Sequence, residues 1–156
     1  MRTLIIGWGN PIAGSDGLGW RAAELVGEHI GDRDDVEVIA TAYGGFRVAE
    51  RMLGYDRVLV LDAAIGQPGD GLVRTQIATH EMTVLDEAIG HDGSLPDAIR
   101  VLRRLRADEL PEKVVLLAAP VPVPRTWDDR LTEPVEEAAL RLAQAALDEL
   151  EGIAVA

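Results

Sequence analysis

Three residues stand out by type and setting. Asp62 ends the apolar run Val58-Leu59-Val60-Leu61, where burial of a carboxylate is costly without a partner. Asp16 lies at the far side of Gly7-Trp8-Gly9-Asn10-Pro11-Ile12-Ala13-Gly14-Ser15-Asp16-Gly17-Leu18-Gly19, a loop whose glycines let backbone approach a bound group closely. His91 sits in the turn Gly90-His91-Asp92-Gly93, just ahead of a capped helix and free to point into a cleft. One aspartate from each of two strand ends plus one histidine supplies oxygen and nitrogen donors suited to nickel or zinc. Both acids have a structural alternative: Asp16 could cap the helix that follows it, and Asp62 could accept hydrogen bonds from loop amides.

Other chemistries fit less well. The chain has no cysteine, which excludes a disulfide framework, a zinc knuckle, a CxxC redox centre and a thiol nucleophile. Gly7-x-Gly9 followed by Asn misplaces the third glycine of a dinucleotide fingerprint, and no GxxxxGK[ST] is present; the sole lysine is Lys113. Ser15 stands in Ala13-Gly14-Ser15-Asp16-Gly17, which is not the GxSxG elbow of a serine hydrolase. His29 falls in the last turn of a helical segment, where a cation meets the helix dipole. His80 precedes Glu81, but position 84 is Val, so no HExxH zinc helix forms. Arg100, Arg103, Arg104 and Arg106 make either a solvated helix face or a dock for an acidic protein.

The elements that must position these residues alternate. Thr3–Trp8 reads as a strand, and Leu18, Ala22, Leu25, Val26 and Ile30 mark a helix. Asp35–Thr41 is a second strand, followed by a short helix with Phe46, Ala49, Met52 and Leu53. Arg57–Ala63 carries the continuous apolar run of a strand buried on both faces. Gly71–Ile77 alternates poorly and reads as a weak edge strand. Ser94-Leu95-Pro96-Asp97 has capping-box spacing, ahead of a helix striped by Leu95, Ile99, Leu102 and Leu105. Lys113–Ala119 is another buried strand, Pro120–Arg130 a Pro-rich stretch carrying Trp127, and Thr132 precedes a long helix with Val135, Ala139, Leu142, Ala146 and Leu150 on one face.

This order specifies an α/β fold: a single three-layer domain over residues 1–156, with a mostly parallel twisted sheet of about five strands and helices on both faces. In such sheets ligands bind beyond the carboxyl ends of the strands, near the point where strand order reverses. With a strand order of 2-1-3 the first and third strands are neighbours, and Asp16 and Asp62 share that edge. A length of 156 residues and 47% apolar composition suit one globular core. The formal charge of −12 argues against a nucleic-acid partner. The longest apolar run, Val114 to Pro124, is interrupted by prolines and too short for a bilayer; with no secretory pattern at the amino terminus, a cytoplasmic, membrane-free protein is expected.

The segment Leu4-Ile5-Ile6-Gly7-Trp8-Gly9-Asn10-Pro11 through Ser15-Asp16-Gly17-Leu18-Gly19 resembles the amino-terminal GxGN…(D/E)-x-x-G signature of the hydrogenase maturation endopeptidases. The strand ending in Asp62, the His91-Asp92-Gly93-Ser94-Leu95 stretch, similar to that family's His-x-x-x-Leu ahead of a helix, and Leu131-Thr132-Glu133-Pro134-Val135-Glu136 at the last helix extend the likeness over essentially the whole chain. The resemblance implies an endopeptidase that removes the carboxy-terminal peptide from a NiFe-hydrogenase large-subunit precursor after nickel insertion. It places the metal-binding and catalytic roles on Asp16, Asp62 and His91, with nickel supplied by the substrate; zinc or cadmium could occupy the same donors in vitro. Three departures accompany it, the first being Gly90 ahead of His91, which leaves His80 a claim to the histidine position. Ser15 precedes Asp16 where many relatives have a second acid, and Tyr43-Gly44-Gly45 has no acid immediately ahead. The alternatives are a non-catalytic metallochaperone or assembly factor, and a small hydrolase of unrelated substrate.

Overall fold

A computed structural model describes residues 1–11, 14–66, 69, 71–81, 94–121, 123 and 132–152. Five strands, β1 (Thr3–Trp8), β2 (Val36–Thr41), β3 (Arg57–Ile65), β4 (Val73–Ala78) and β5 (Lys113–Val121), form one sheet in the order β2-β1-β3-β5-β4. The pairs β1–β2, β1–β3 and β3–β5 are parallel, while β4 runs antiparallel to β5 at the edge. Four helices, α1 (Leu18–Ile30), α2 (Gly45–Arg51), α3 (Leu95–Arg106) and α4 (Glu133–Glu151), complete the described fold.

Strand periodicity sorts the apolar side chains into two layers. Ile5, Leu59, Leu61, Val115 and Leu117 pack with α1 and α4, through Leu18, Ala22, Val26, Val135, Ala139, Leu142 and Ala146. Leu4, Ile6, Val58, Val60 and Val114 pack on the opposite face with α2 and α3, through Val48, Ala49, Leu95, Ile99 and Leu102. The expected three-layer architecture is therefore present.

Some details differ from the sequence reading. Leu105 is 69% exposed, and Ala98 joins Leu95, Ile99 and Leu102 in the buried stripe of α3 instead. Phe46 is 43% exposed, and Val48 takes its place in the core. Strand β5 continues through Pro120 to Val121. Val121 O accepts from Gly66 N–H on the β3 side, so Pro120 turns its missing N–H toward β4, whose ladder has already ended at Ala118. No ladder bond is lost there. Beyond Val121 the Pro-rich stretch is described only at Val123, and Trp127 lies outside the described residues.

The ends of the helices follow their sequence signals. Ser94 Oγ accepts from Asp97 N–H at 3.3 Å and donates to Asp97 Oδ2 at 2.9 Å, capping α3. Helix α4 ends at Gly152 in the left-handed conformation. Its buried Glu149 receives a two-pronged hydrogen bond from Arg74 of β4, at 2.8 and 3.0 Å, which holds its carboxyl below the usual range. The edge strand is thereby tied to the last helix. Among the described residues no helix is long and apolar enough to cross a membrane.

Candidate functional site

The order β2-β1-β3 makes the neighbouring carboxyl ends of β1 and β3 the switch point of the sheet: the chain leaves β1 for β2 on one side and returns for β3 on the other. Gly7, the residue before the last of β1, pairs with Leu61 of β3, so Asp62 stands one residue beyond that pair.

Helix α1 is pressed onto this point. A Cβ on Gly19 would lie 2.4 Å from both Leu61 O and Trp8 O, and one on Gly7 would lie 2.3 Å from Gly19 O. Both positions therefore need glycine for contact between helix and strands. The turn before α1, Gly14–Gly17, holds Asp16. The carboxylate does not cap α1, whose N-cap is Gly17 without a side-chain bond. It accepts instead from Asn10 N–H, at 2.8 Å through Oδ2, and so closes the glycine loop on itself.

Asp62 is half-buried and accepts from the amide of its neighbour Ala63 at 2.8 Å. Burial pushes its carboxyl up, the Ala63 amide opposes this, and the charge of Asp16 raises it again, to about 6. Asp16 thus acts electrostatically on Asp62, as expected of two acids that share one rim. Such a pair suits a divalent cation, which would relieve both the burial and the repulsion.

His91 lies outside the described residues. The described chain resumes at Ser94, the cap of α3. The last turn of this helix leads to Glu109, whose carbonyl accepts from Gly54 N–H just ahead of β3. Twelve residues rise about 18 Å, so Ser94 stands at the opposite end of the sheet, toward the rim of Asp62. His80 does not share that rim. It is exposed in the turn Thr79–Glu81, where Thr79 N–H bonds to Glu112 O at the amino end of β5, beside a hollow of about 360 Å³ lined by Asp56, Asp108, Glu109 and Glu112. His29 lies in the last turn of α1. Arg106 pairs with Glu109 in solvent, while Arg100, paired with Asp97, is half-buried with its Nε shielded from water. Among the described residues no group of three or more histidines or acids is poised around a metal position.

Two side chains at the site were not singled out by type or spacing. Trp8 Nε1–H donates to Tyr43 O at 2.8 Å. Trp20 Nε1–H donates to Gly9 O at 2.8 Å and Thr41 O at 3.3 Å. The available signal was that two of the three tryptophans flank a loop of glycines.

No protein-family model matches the chain, and no curated protein sequence does. Solved structures do match. The hydrogenase maturating endopeptidase HybD from E. coli is similar with a TM-score of 0.72 and 20% identity, over 97% of this chain and 94% of that one. The NiFe hydrogenase maturation protease HycI from Thermococcus kodakarensis KOD1 gives 0.65 and 21%, over 96% and 92%. The hydrogenase 2 maturation peptidase from Thaumarchaeota archaeon SCGC_AB-539-E09 gives 0.63 and 23%, over 96% and 98%. With nearly its whole length matched in this way, the chain has the fold of the hydrogenase maturation endopeptidases.

Proposed function

We propose that this chain is a hydrogenase maturation endopeptidase, which removes the carboxy-terminal peptide from the precursor of a NiFe-hydrogenase large subunit once nickel is in place. The observation that carries this reading is the placement of Asp16 and Asp62 at the switch point, close enough for the charge of one to raise the carboxyl of the other. The names of the structural neighbours support the reaction class. His91 supports the third position: it precedes Ser94 by three residues, a span of at most about 10 Å of chain.

The nickel belongs to the substrate. Asp16, Asp62 and His91 would complete its coordination and so recognise a loaded precursor, with two oxygen donors and one nitrogen. A bound divalent ion draws electron density from a carbonyl or a water beside it, which is the chemistry that peptide cleavage needs.

The test is mass spectrometry of the carboxy terminus of a large-subunit precursor, nickel-loaded and nickel-free, with this protein and with its Asp16→Asn, Asp62→Asn and His91→Ala variants. The peptide should be released only from the loaded precursor, and each substitution should slow release by about 100-fold or more. Full cleavage by all three variants would remove the shared site. A stoichiometric complex that releases no peptide would replace the protease with a non-catalytic assembly factor.

A further inference from the structure

The loop that carries Asp16 turns on a single peptide plane. Gly9 C=O and Asn10 N–H belong to one planar unit, which is trans, as no cis bond occurs among the described residues. In a trans peptide the C=O and the N–H point in opposite directions. The N–H of this unit donates to Asp16 Oδ2 at 2.8 Å, and its C=O accepts from Trp20 Nε1–H at 2.8 Å. One hydrogen bond therefore pulls on each end of the plane.

Backbone geometry alone does not hold that plane. Gly9 has φ of 147°, a region that side chains disfavour and glycine enters freely, and a Cβ there would lie 2.1 Å from Asp16 O. The position must be glycine, so its neighbouring peptide can rotate at little cost. Something outside the loop has to fix it. Trp20 can, because it is the third residue of α1 and the helix is wedged against β1 and β3 through Gly19. Its indole N–H also reaches Thr41 O, the carbonyl that accepts from Gly9 N–H at 3.1 Å. The donor is thus referenced to α1, β2 and the loop together.

We infer that Trp20 is a positioning residue for Asp16: its indole N–H sets the orientation of the Gly9–Asn10 peptide, and through the Asn10 amide it aims the Asp16 carboxylate into the site. The geometry of this relay stands on its own, while its consequence for cleavage rests on the proposed function. The carboxylate keeps its place in the sequence without Trp20, but not the amide that orients it.

Amide hydrogen exchange on the labelled full chain tests the relay without substrate or metal. In the unsubstituted protein, Trp20 Nε1–H and Asn10 N–H should open together, with protection factors agreeing within about threefold. An indole N–H protected at least tenfold less than the Asn10 amide would overturn the inference even if no variant folds. Trp20→Phe keeps an aromatic ring and deletes the donor. It should speed exchange at Asn10 about tenfold, the loss of one hydrogen bond, and leave Ile5 and Leu59 amides unchanged. In an Asp16→Asn background the same substitution should add less than twofold. Equal loosening of all amides, or none at Asn10, would give Trp20 a merely structural role. On nickel-loaded precursor, Trp20→Phe should raise KM as well as lower kcat, because the carboxylate it aims recognises the loaded precursor, and in the Asp16→Asn background it should change kcat/KM less than twofold. If the unsubstituted protein releases no peptide while the exchange pattern holds, the protease reading fails and the relay stands; cleavage with an unchanged Asn10 amide gives the reverse.

Discussion

Asp62 holds its proton to about pH 6 because burial and the charge of Asp16 both disfavour the anion. The unfolded chain loses that proton near the ordinary aspartate value, so the folded state binds more protons between the two. The contribution of Asp62 to stability is fully present at low pH and is lost as pH rises through about 6. At neutral pH the ionised group costs roughly 1–3 kcal/mol. Asp62→Asn should therefore be more stable than the parent at pH 8 by that amount, and its advantage should vanish near pH 4. Denaturant titrations of both proteins at the two pH values measure it; a difference that does not change with pH would remove the assigned burial. Here the site was legible, because an acid ending Val58-Leu59-Val60-Leu61 has few uses in a core. Asp16 was legible as a loop acid, but its partner was not: the sequence allowed a helix cap, and the carboxylate bonds to the Asn10 amide instead. The role of Trp20 could not be read at all, since it depends on the direction of a peptide plane that no residue type encodes.

At the level of elements, helix α1 contains its own contrast. Gly19 lies where an added Cβ would meet two backbone carbonyls at 2.4 Å, whereas Gly27 on the same helix has nothing within 4 Å. Carbonyls of β1 and β3 cannot swing aside, so Gly19→Ala must lift α1 from the sheet. A loss of about 3 kcal/mol is expected, together with a wider separation of Asp16 from Asp62. Gly27→Ala should instead stabilise the chain by about 0.5–1 kcal/mol through helix propensity. Thermal unfolding of the two variants checks the pair; similar melting temperatures would mean that the close approach of α1 is not made. The elements themselves were legible wherever a period and a cap agreed, as in β1, in α3 behind Ser94, and in α4. They were less so where the environment changes within an element. Strand β4 is exposed on both faces from Val73 to Gln76, so no alternation is required of it, Leu105 follows the helical period yet points into water, and Pro120 marks a strand end by type while its ring sits where the neighbouring ladder has finished.

The molecule as a whole is strongly anionic. Acidic residues exceed basic ones by 12 in 156, and folding draws that excess into a small volume, so self-repulsion opposes the native state. Local attractions act the other way. Arg33 with Asp35, Arg51 with Glu37, and Arg106 with Glu109 are close pairs, but all are well exposed, and water and salt leave such pairs little net effect. Arg74 with the buried Glu149 is sheltered from ions and changes little with salt. Raising sodium chloride from about 0.01 to 0.15 M shortens the screening length from about 30 to 8 Å. That distance passes from larger than the domain radius to smaller, so the general repulsion is relieved far more than the close ion pairs are weakened. Stability should rise by about 1–3 kcal/mol, an increase of several degrees in Tm. Sodium chloride is the right salt for the measurement, because sulfate would stabilise by exclusion from the surface as well. A Tm that falls over this range would show that the attraction within the exposed pairs outweighs the repulsion of the net charge.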